Sequence, residues 1–380
     1  MSIATQLSTP VQFAVPTSGS ARILHQIRNQ PGITRSELRD QLGMSQPTIA
    51  RNVSALIDER FVTEIPASQV DGRAGRPSLG LRIDASHLRV WGIHIGLRST
   101  EIVIADGAGR LLEHATLPLS IPENRVEDSL DLIAHRIKAL GAAHPSPITV
   151  GMATSAHIDA VGSVTSEEYG WEGVPVGNEI SQRLGAHVFY STGVTAMAGY
   201  ELAANDLSTR GMDSTLYFYV REMIGHAWIF NGAVHRAHSG TPTTALRLLD
   251  DGSIATHGAH PLSTRFTLDD ARSRGLSVES LSELIASGDP RAREVLDARA
   301  HRIARAVAVA VDIVDPEKLV LAGEAFTADP KGLKTVIRDL RDMGGAPAKM
   351  RLCKAGGNVL IDAARQVALQ PLWQEPLEFV

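Results

Sequence analysis

The chain has 380 residues, 43% of them hydrophobic and 21% charged, with a net charge of -5. That length admits one small domain beside one or two larger ones, and the composition is that of a globular chain rather than a disordered one. No apolar run is long enough to span a bilayer, the first residues lack the basic start and apolar block of a secretory signal, and one cysteine, Cys353, excludes an internal disulfide and any multi-thiolate zinc site.

The average charge hides an asymmetry. Up to Arg82 there are nine arginines, no lysine and six acids, a charge of +3, which leaves -8 for the remainder. A modest basic head on an acidic body suits a nucleic-acid module attached to a domain with another task.

Residues 1–19, rich in Ser, Thr, Pro and Ala without periodicity, read as a flexible leader. Ser20 is placed to cap a helix with Ile23, Leu24 and Ile27 on one face, ended by Pro31 and Gly32. Thr34 and Glu37 have capping-box spacing and open a short helix carrying Leu38 and Leu42, and Gly43 supplies a tight turn. Ser45 caps a third helix with Pro47 in its first turn and a buried stripe of Ile49, Val53, Leu56 and Ile57. Helix, short helix, glycine turn and helix is the order of a helix-turn-helix, whose second helix enters the major groove of DNA. Gln46, Pro47, Thr48, Arg51 and Asn52 occupy its exposed N-terminal positions; Gln and Asn suit adenine, Arg suits guanine or phosphate, and the Thr methyl suits thymine.

Phe61–Ile65 and Leu79–Ile83 read as two strands of a wing, making residues 20–84 a winged helix-turn-helix. The loop between them holds Arg73, Gly75 and Arg76 before Pro77, an extended arginine frame that fits a narrow minor groove.

From residue 85 onward strands alternate with helices. Val90–Ile95, Glu101–Ala105 and Leu111–Leu117 are strands, Val126–Leu140 an amphipathic helix, and Ile148–Ala153 a strand. A similar set recurs in Leu216–Val220, Ala227–Phe230, an Asn231-Gly232 turn, an Ala-rich helix ending at Val314, and Leu319–Ala322, so two related α/β lobes are expected in residues 85–380.

The pairing of a helix-turn-helix with Gly75-Arg76-Pro77, the stretch GWEGVPVGNE from Gly170, and DIVDPEKLVLAG from Asp312 resemble the ROK family of repressors, open reading frames and kinases. The resemblance covers nearly the whole chain from Ser20. It implies an α/β fold: an N-terminal winged helix-turn-helix plus a two-lobed actin-like, sugar-kinase-like (ribonuclease H-like) domain. It also implies a cytoplasmic transcription regulator, a repressor in its ROK form, that binds a palindromic double-stranded operator as a homodimer or tetramer and answers to a sugar-like or other small effector. Against the family's kinase motifs this chain departs at several places. His94 in GIHIGLRS stands where the first phosphate loop has its Asp. Gly193 stands where the catalytic Asp base would lie, eight residues before Glu201. The second phosphate loop reads VREMIGH from Val220, and the sugar-contacting Glu-x-Gly-His aligns with Thr244 to Arg247, with only Gly240 upstream still matching. The family's zinc region has His257 and His260 but no cysteine. No catalytic residue, cofactor or metal is therefore expected, and the body reads as a degenerate kinase. Trp171, Gly193 and Gly240 are left as candidates for an effector cleft. A regulator without effector, governed by a protein partner, and an active sugar kinase are the competing readings.

Overall fold

The computed structural model describes residues 7–66, 79–204, 214–235, 259–347, 349–353 and 358–379. The chain opens with strand β1 (Ser8–Pro10), followed by α1 (Gly19–Asn29), β2 (Ile33–Thr34), α2 (Arg35–Leu42), α3 (Gln46–Asp58), β3 (Val62–Pro66) and β4 (Leu79–Ile83). The three helices and the β2-β4-β3 sheet form a winged helix-turn-helix. Its local signals act as anticipated: the Thr34–Glu37 capping box closes, and Gly43 takes the left-handed C-cap of α2 at φ 63°. The start of α1 differs from expectation. Ser18, not Ser20, is the N-cap and accepts from the Ala21 N–H at 3.3 Å, while Ser20 is buried in the first turn.

The first lobe follows: β5 (Arg89–Ile95), β6 (Thr100–Asp106), β7 (Leu111–Leu117), α4 (Val126–Gly141), β8 (Thr149–Thr154), β9 (Val164–Ser166), β10 (Trp171–Val174), α5 (Val176–Leu184), β11 (Val188–Thr192) and α6 (Gly193–Ala203). The second contains β12 (Thr215–Val220), β13 (Ile224–Phe230), β14 (Ala233–Val234), α7 (Thr264–Ser273), α8 (Leu281–Ala286), α9 (Pro290–Val314), β15 (Lys318–Ala322), α10 (Glu324–Thr327), α11 (Pro330–Asp342) and β16 (Lys349–Leu352), and α12 (Val359–Gln374) closes the chain.

The two lobes repeat one topology. In each, an antiparallel run of three strands is followed by a helical connection to a strand parallel to the first, and then by a further parallel strand. The sheet orders are β11-β8-β5-β6-β7 and β16-β15-β12-β13-β14. Every residue of β6 and β8 is buried, as covering a sheet on both faces demands. On one face, α12 approaches so closely that a Cβ at Gly92 or Gly151 would stand 2.5 Å from the Ala364 carbonyl oxygen or 2.2 Å from the Ala368 nitrogen.

The reading of residues 1–19 as a flexible leader is corrected from Leu7 onward. Ser8–Pro10 add a sixth, parallel strand to the first lobe's sheet beside β11, and Phe13 is buried at 1% exposure. A three-residue edge strand followed by one buried aromatic has no period to betray it. Among the described residues no helix is long and apolar enough to cross a membrane.

Candidate functional site

The first half of α3 is built to be presented. The Ser45 hydroxyl accepts from the Thr48 N–H at 3.4 Å, and Pro47 in the first turn donates no hydrogen bond that the helix would miss. Ile49, Val53 and Leu56 pin one face, leaving Gln46, Pro47, Ala50, Arg51 and Ser54 exposed on the other. Gln46, Pro47 and Arg51 thus stand where the periodicity places them. Thr48 and Asn52 do not face outward in the same way. Both are half-buried, and the Asn52 amide donates to the Thr48 carbonyl at 2.8 Å. That amide also lies against Gly19 of α1, where a Cβ would meet it at 3.1 Å. Their polar atoms hold the start of α3 and its seat on α1. Ala50 and Ser54 complete the outer face, and the complement of the buried stripe would have found them. Arg73, Gly75 and Arg76 lie outside the described residues, as does Gly240.

The head is not an appendage on a tether. Ile23, Leu24 and Ile27 of α1 share one apolar cluster with Leu88, Val90 and the α12 residues Ala368, Leu369 and Leu372. Arg28 locks the joint: its guanidinium carbon lies 3.7 Å from the centre of the Trp373 ring and it donates to the Ala203 carbonyl at 2.8 Å. Burial pushes this guanidinium down to about 10.

The segment before α1 ties both lobes to the head. Val11 donates to the Tyr190 carbonyl of the first lobe at 2.9 Å. Four residues on, Val15 donates to the Gly232 carbonyl and the Val234 N–H donates to Phe13, each bond joining the strap to the second lobe at 2.7 and 2.8 Å respectively. The strap then ends on Ser18, the cap of α1.

Between the lobes lies a cavity of about 640 Å³. It is walled by the ends of β5, β8 and β11, the first turn of α6, strand β13, and Pro10 and Val11 of the strap. Gly193 opens α6 on this wall, and fully buried His94 faces it: a Cβ on Gly193 would stand 2.6 Å from the imidazole Nε2. Desolvation drives His94 down to about 4, so the ring is neutral at neutral pH. His157 and His226, also on the wall, are shifted downward by burial too. The stretch VREMIGH forms the β12–β13 hairpin, putting Met223, Ile224, Gly225 and His226 on the cavity wall. Trp171 is corrected as a cleft candidate. It is 3% exposed, packs edge-on against Tyr169 at 5.2 Å in the core of the first lobe, and does not line the cavity. Its strand, β10, pairs with β9 in a separate two-stranded sheet, which spacing alone did not reveal. His94 and His226 stand on the wall at the two former phosphate loops, whereas His157, from the segment after β8, is a wall residue that the sequence did not announce. Among the described residues no three His, Cys, Asp or Glu side chains cluster in a way that could hold a metal ion.

A winged helix-turn-helix fused to two lobes of repeated sheet topology around a cleft defines a protein with a DNA-binding fold on a sugar-kinase-type body. Residues 90–245 match the ROK family and residues 16–74 the MarR family, so the chain carries a ROK family domain behind a MarR-type helix-turn-helix. It is 29% identical to transcriptional regulators of Mycobacterium tuberculosis and Mycobacterium bovis, over 97% of this chain and 89% of theirs. Among solved structures, a ROK family transcriptional regulator described as a homologue of the Escherichia coli MLC protein superposes with a TM-score of 0.73 at 18% identity, covering 94% of this chain and 98% of that one. A ROK family glucokinase from Streptomyces griseus, in complex with glucose and AMPPNP, superposes with a TM-score of 0.62 at 19% identity, over 74% of this chain and 99% of that one. The regulator matches head and body together; the kinase covers a smaller share of this chain.

Proposed function

We propose that this protein is a cytoplasmic DNA-binding transcriptional regulator that uses its kinase-type body for assembly and sensing rather than for phosphoryl transfer. The observation that carries the reading is the exposed N-terminal face of α3, with Gln46 and Arg51 outward on a head packed against the body through an apolar cluster and the Arg28–Trp373 contact. Arg51 carries no ion pair among the described residues, so its charge is free for a base or phosphate. Gly193, at the position where the kinase motif calls for a carboxylate base, cannot take a proton from a sugar hydroxyl. A repressor acting on a palindromic operator as a homodimer or tetramer fits this reading, because a twofold assembly sets two copies of α3 about one DNA turn, or a multiple of it, apart. In the same reading the wing arginines Arg73 and Arg76 enter the minor groove, and the strap carries lobe movements from the cleft to the cap of α1.

The test is anisotropy titration of the full chain on promoter fragments or operators selected from random DNA. Arg51→Ala and Arg76→Ala are each expected to weaken specific binding by about 1–3 kcal/mol, roughly five- to a hundredfold. Wild-type affinity in both variants would remove the assignment. A coupled assay for ATP turnover over a panel of sugars is expected to give no activity above background.

A further inference from the structure

The unpartnered polar atoms of the molecule are not scattered evenly. Of thirteen buried side-chain nitrogens and oxygens without a hydrogen-bond partner among the described residues, five belong to residues lining the interlobe cavity. They are both ring nitrogens of His94, Nε2 of His157, Nδ1 of His226 and Nε1 of Trp228. Leaving such groups unmade is destabilising, so a wall that gathers them is shaped for something that supplies their partners.

The wall divides into two chemical zones. At the inner end, Nε2 of the fully buried His94 faces the first residue of α6, an eleven-residue helix in which the Thr192 hydroxyl caps the Thr195 N–H at 3.4 Å and the N–H groups before it have no helical partners. Glycine at position 193 keeps that space open, since a methyl group there would collide with the imidazole. A helix N-terminus carries about half a positive charge and favours an anion. Among the described residues the wall has no Lys or Arg, and Arg221, close enough to influence His94, is already paired with Glu324 at 3.3 Å. With so little positive charge on the described wall, a singly charged head is favoured over the doubly charged one of a phosphate ester.

Strand β13 and the residue just after β14 supply an aromatic shelf to the wall. His226 and Trp228 have ring centres 6.0 Å apart at 30°, and Trp228 and His235 are 5.7 Å apart at 25°. Met197, Met223 and Ile158 also line the cavity with apolar atoms. A sugar ring would need a directional partner for each hydroxyl. The described wall has no Asn, Gln or Glu, and its one acid, Asp159, already uses Oδ1 to accept the Val161 and Ser163 N–H groups at 2.9 and 2.8 Å. Of its hydroxyls, Thr192 donates to Thr195 at 2.7 Å and Tyr190 to the Ala160 carbonyl at 2.8 Å, with Ser155, Ser191 and Tyr219 the others.

We infer that the cavity takes a planar aromatic monocarboxylate, its head between His94 and the start of α6 and its ring on the Trp228 shelf. The inference rests on the reading of the cleft as a sensing site. A cavity of about 640 Å³ accommodates such a molecule.

The experiment is calorimetric titration of the full chain, without DNA, with 2-naphthoate, with its uncharged analogue 2-naphthamide, and with glucose, N-acetylglucosamine and glucose 6-phosphate. Naphthoate is expected to bind, the amide at least tenfold more weakly, and the sugars not measurably. Gly193→Ala, which fills the head site, and His226→Ala, which breaks the shelf, are each expected to weaken naphthoate at least tenfold with unchanged circular dichroism. Should one variant fail to fold, the other and the acid-to-amide ratio still decide. Preference for a sugar, equal binding of acid and amide, equal binding by wild type and both variants, or no binding by naphthoate would each overturn the inference. Anisotropy on DNA, run in parallel, keeps the two readings apart: a chain that binds naphthoate at Gly193 but no DNA refutes the regulator and keeps the ligand, and the converse refutes only the ligand.

Discussion

The reading head and the interlobe cleft earn their shapes in opposite ways. In the head, each functional feature sits within a few residues of its cause: Thr34 and Glu37 cap α2, Gly43 turns the chain, Ser45 caps α3, and the stripe from Ile49 to Leu56 decides which face is left for DNA. In the cleft, no two neighbouring signals make the site. His94 comes from β5, Gly193 from α6, Trp228 from β13 and Val11 from the strap, and only the closing of two sheets puts them on one wall. A site of the first kind tolerates change in the body, and one of the second is sensitive to any element that sets the lobes. Among the described residues the strap belongs to both, because Val11 lines the cavity and Ser18 caps the first helix of the head.

The largest expected effect follows from that double membership. Phe13 is buried in the cluster between α6 and the second sheet, and Gly199 of α6 lies so close that a Cβ there would stand 2.3 Å from its ring. Phe13→Ala should cost about 3–5 kcal/mol of stability, read from urea midpoints. It should also loosen the head's hydrogen-exchange protection although the substitution lies outside the helix-turn-helix. Loss confined to the body would separate head from cleft and break the link between them.

A second effect, somewhat smaller, belongs to the cleft alone. Unfolded, His94 titrates near 6.5, whereas burial holds it to about 4 in the folded chain. Between those values the unfolded chain binds a proton that the folded one refuses. The contribution of the neutral ring is therefore complete above pH 6.5 and lost as pH falls toward 4, amounting to about 3 kcal/mol at the acid end. Burial shifts His157 and His226 in the same direction, so all three steepen the same window. The paired carboxylates Asp84, Asp329 and Asp339 are held below the usual range and lose their contribution only in stronger acid. Urea midpoints for His94→Asn across pH 7.5 to 5 should fall less steeply than for wild type, and parallel slopes would show that the ring is not what titrates.

The same contrast explains how far the sequence could be read. The head was legible to within two residues at its helix ends, because capping and periodicity are local. The alternation of strands and helices in the body, and the recurrence of the set, followed from two-residue and 3.6-residue patterns, down to the Asn231-Gly232 turn, whose residues both take positive φ. Asn52 was misjudged as an outward side chain because its bond to Thr48 and the bare surface of Gly19 are tertiary facts. Trp171 was misjudged because an aromatic near a glycine-rich stretch looks the same in sequence whether it faces a cleft or a core. The strap escaped altogether: its strand is three residues long and its partners, Tyr190 and Val234, lie far along the chain.

The smallest effect is the most discriminating about whether head and body are one cooperative unit. Thr34→Ala removes the capping box, in which the Glu37 carboxylate accepts the Thr34 N–H at 2.8 Å and the Glu37 N–H donates to the threonine hydroxyl at 3.3 Å. Losing it should cost about 1 kcal/mol wherever it is measured. The shift in melting temperature, however, depends on how much chain unfolds together, because the entropy of the transition grows with its size. A head that melts alone would shift by about 4–8 °C, while one melting with the whole chain would shift by only about 1–2 °C. The apolar cluster running unbroken from Ile27 to Leu372 and the seat of Arg28 on Trp373 argue for the single transition and the small shift. Scanning calorimetry of Thr34→Ala that revealed a separate early transition would mean that this joint opens first. The strap would then have to pull on a head already loose from α12, and a ligand in the cleft could not set the angle of α3 through a rigid contact.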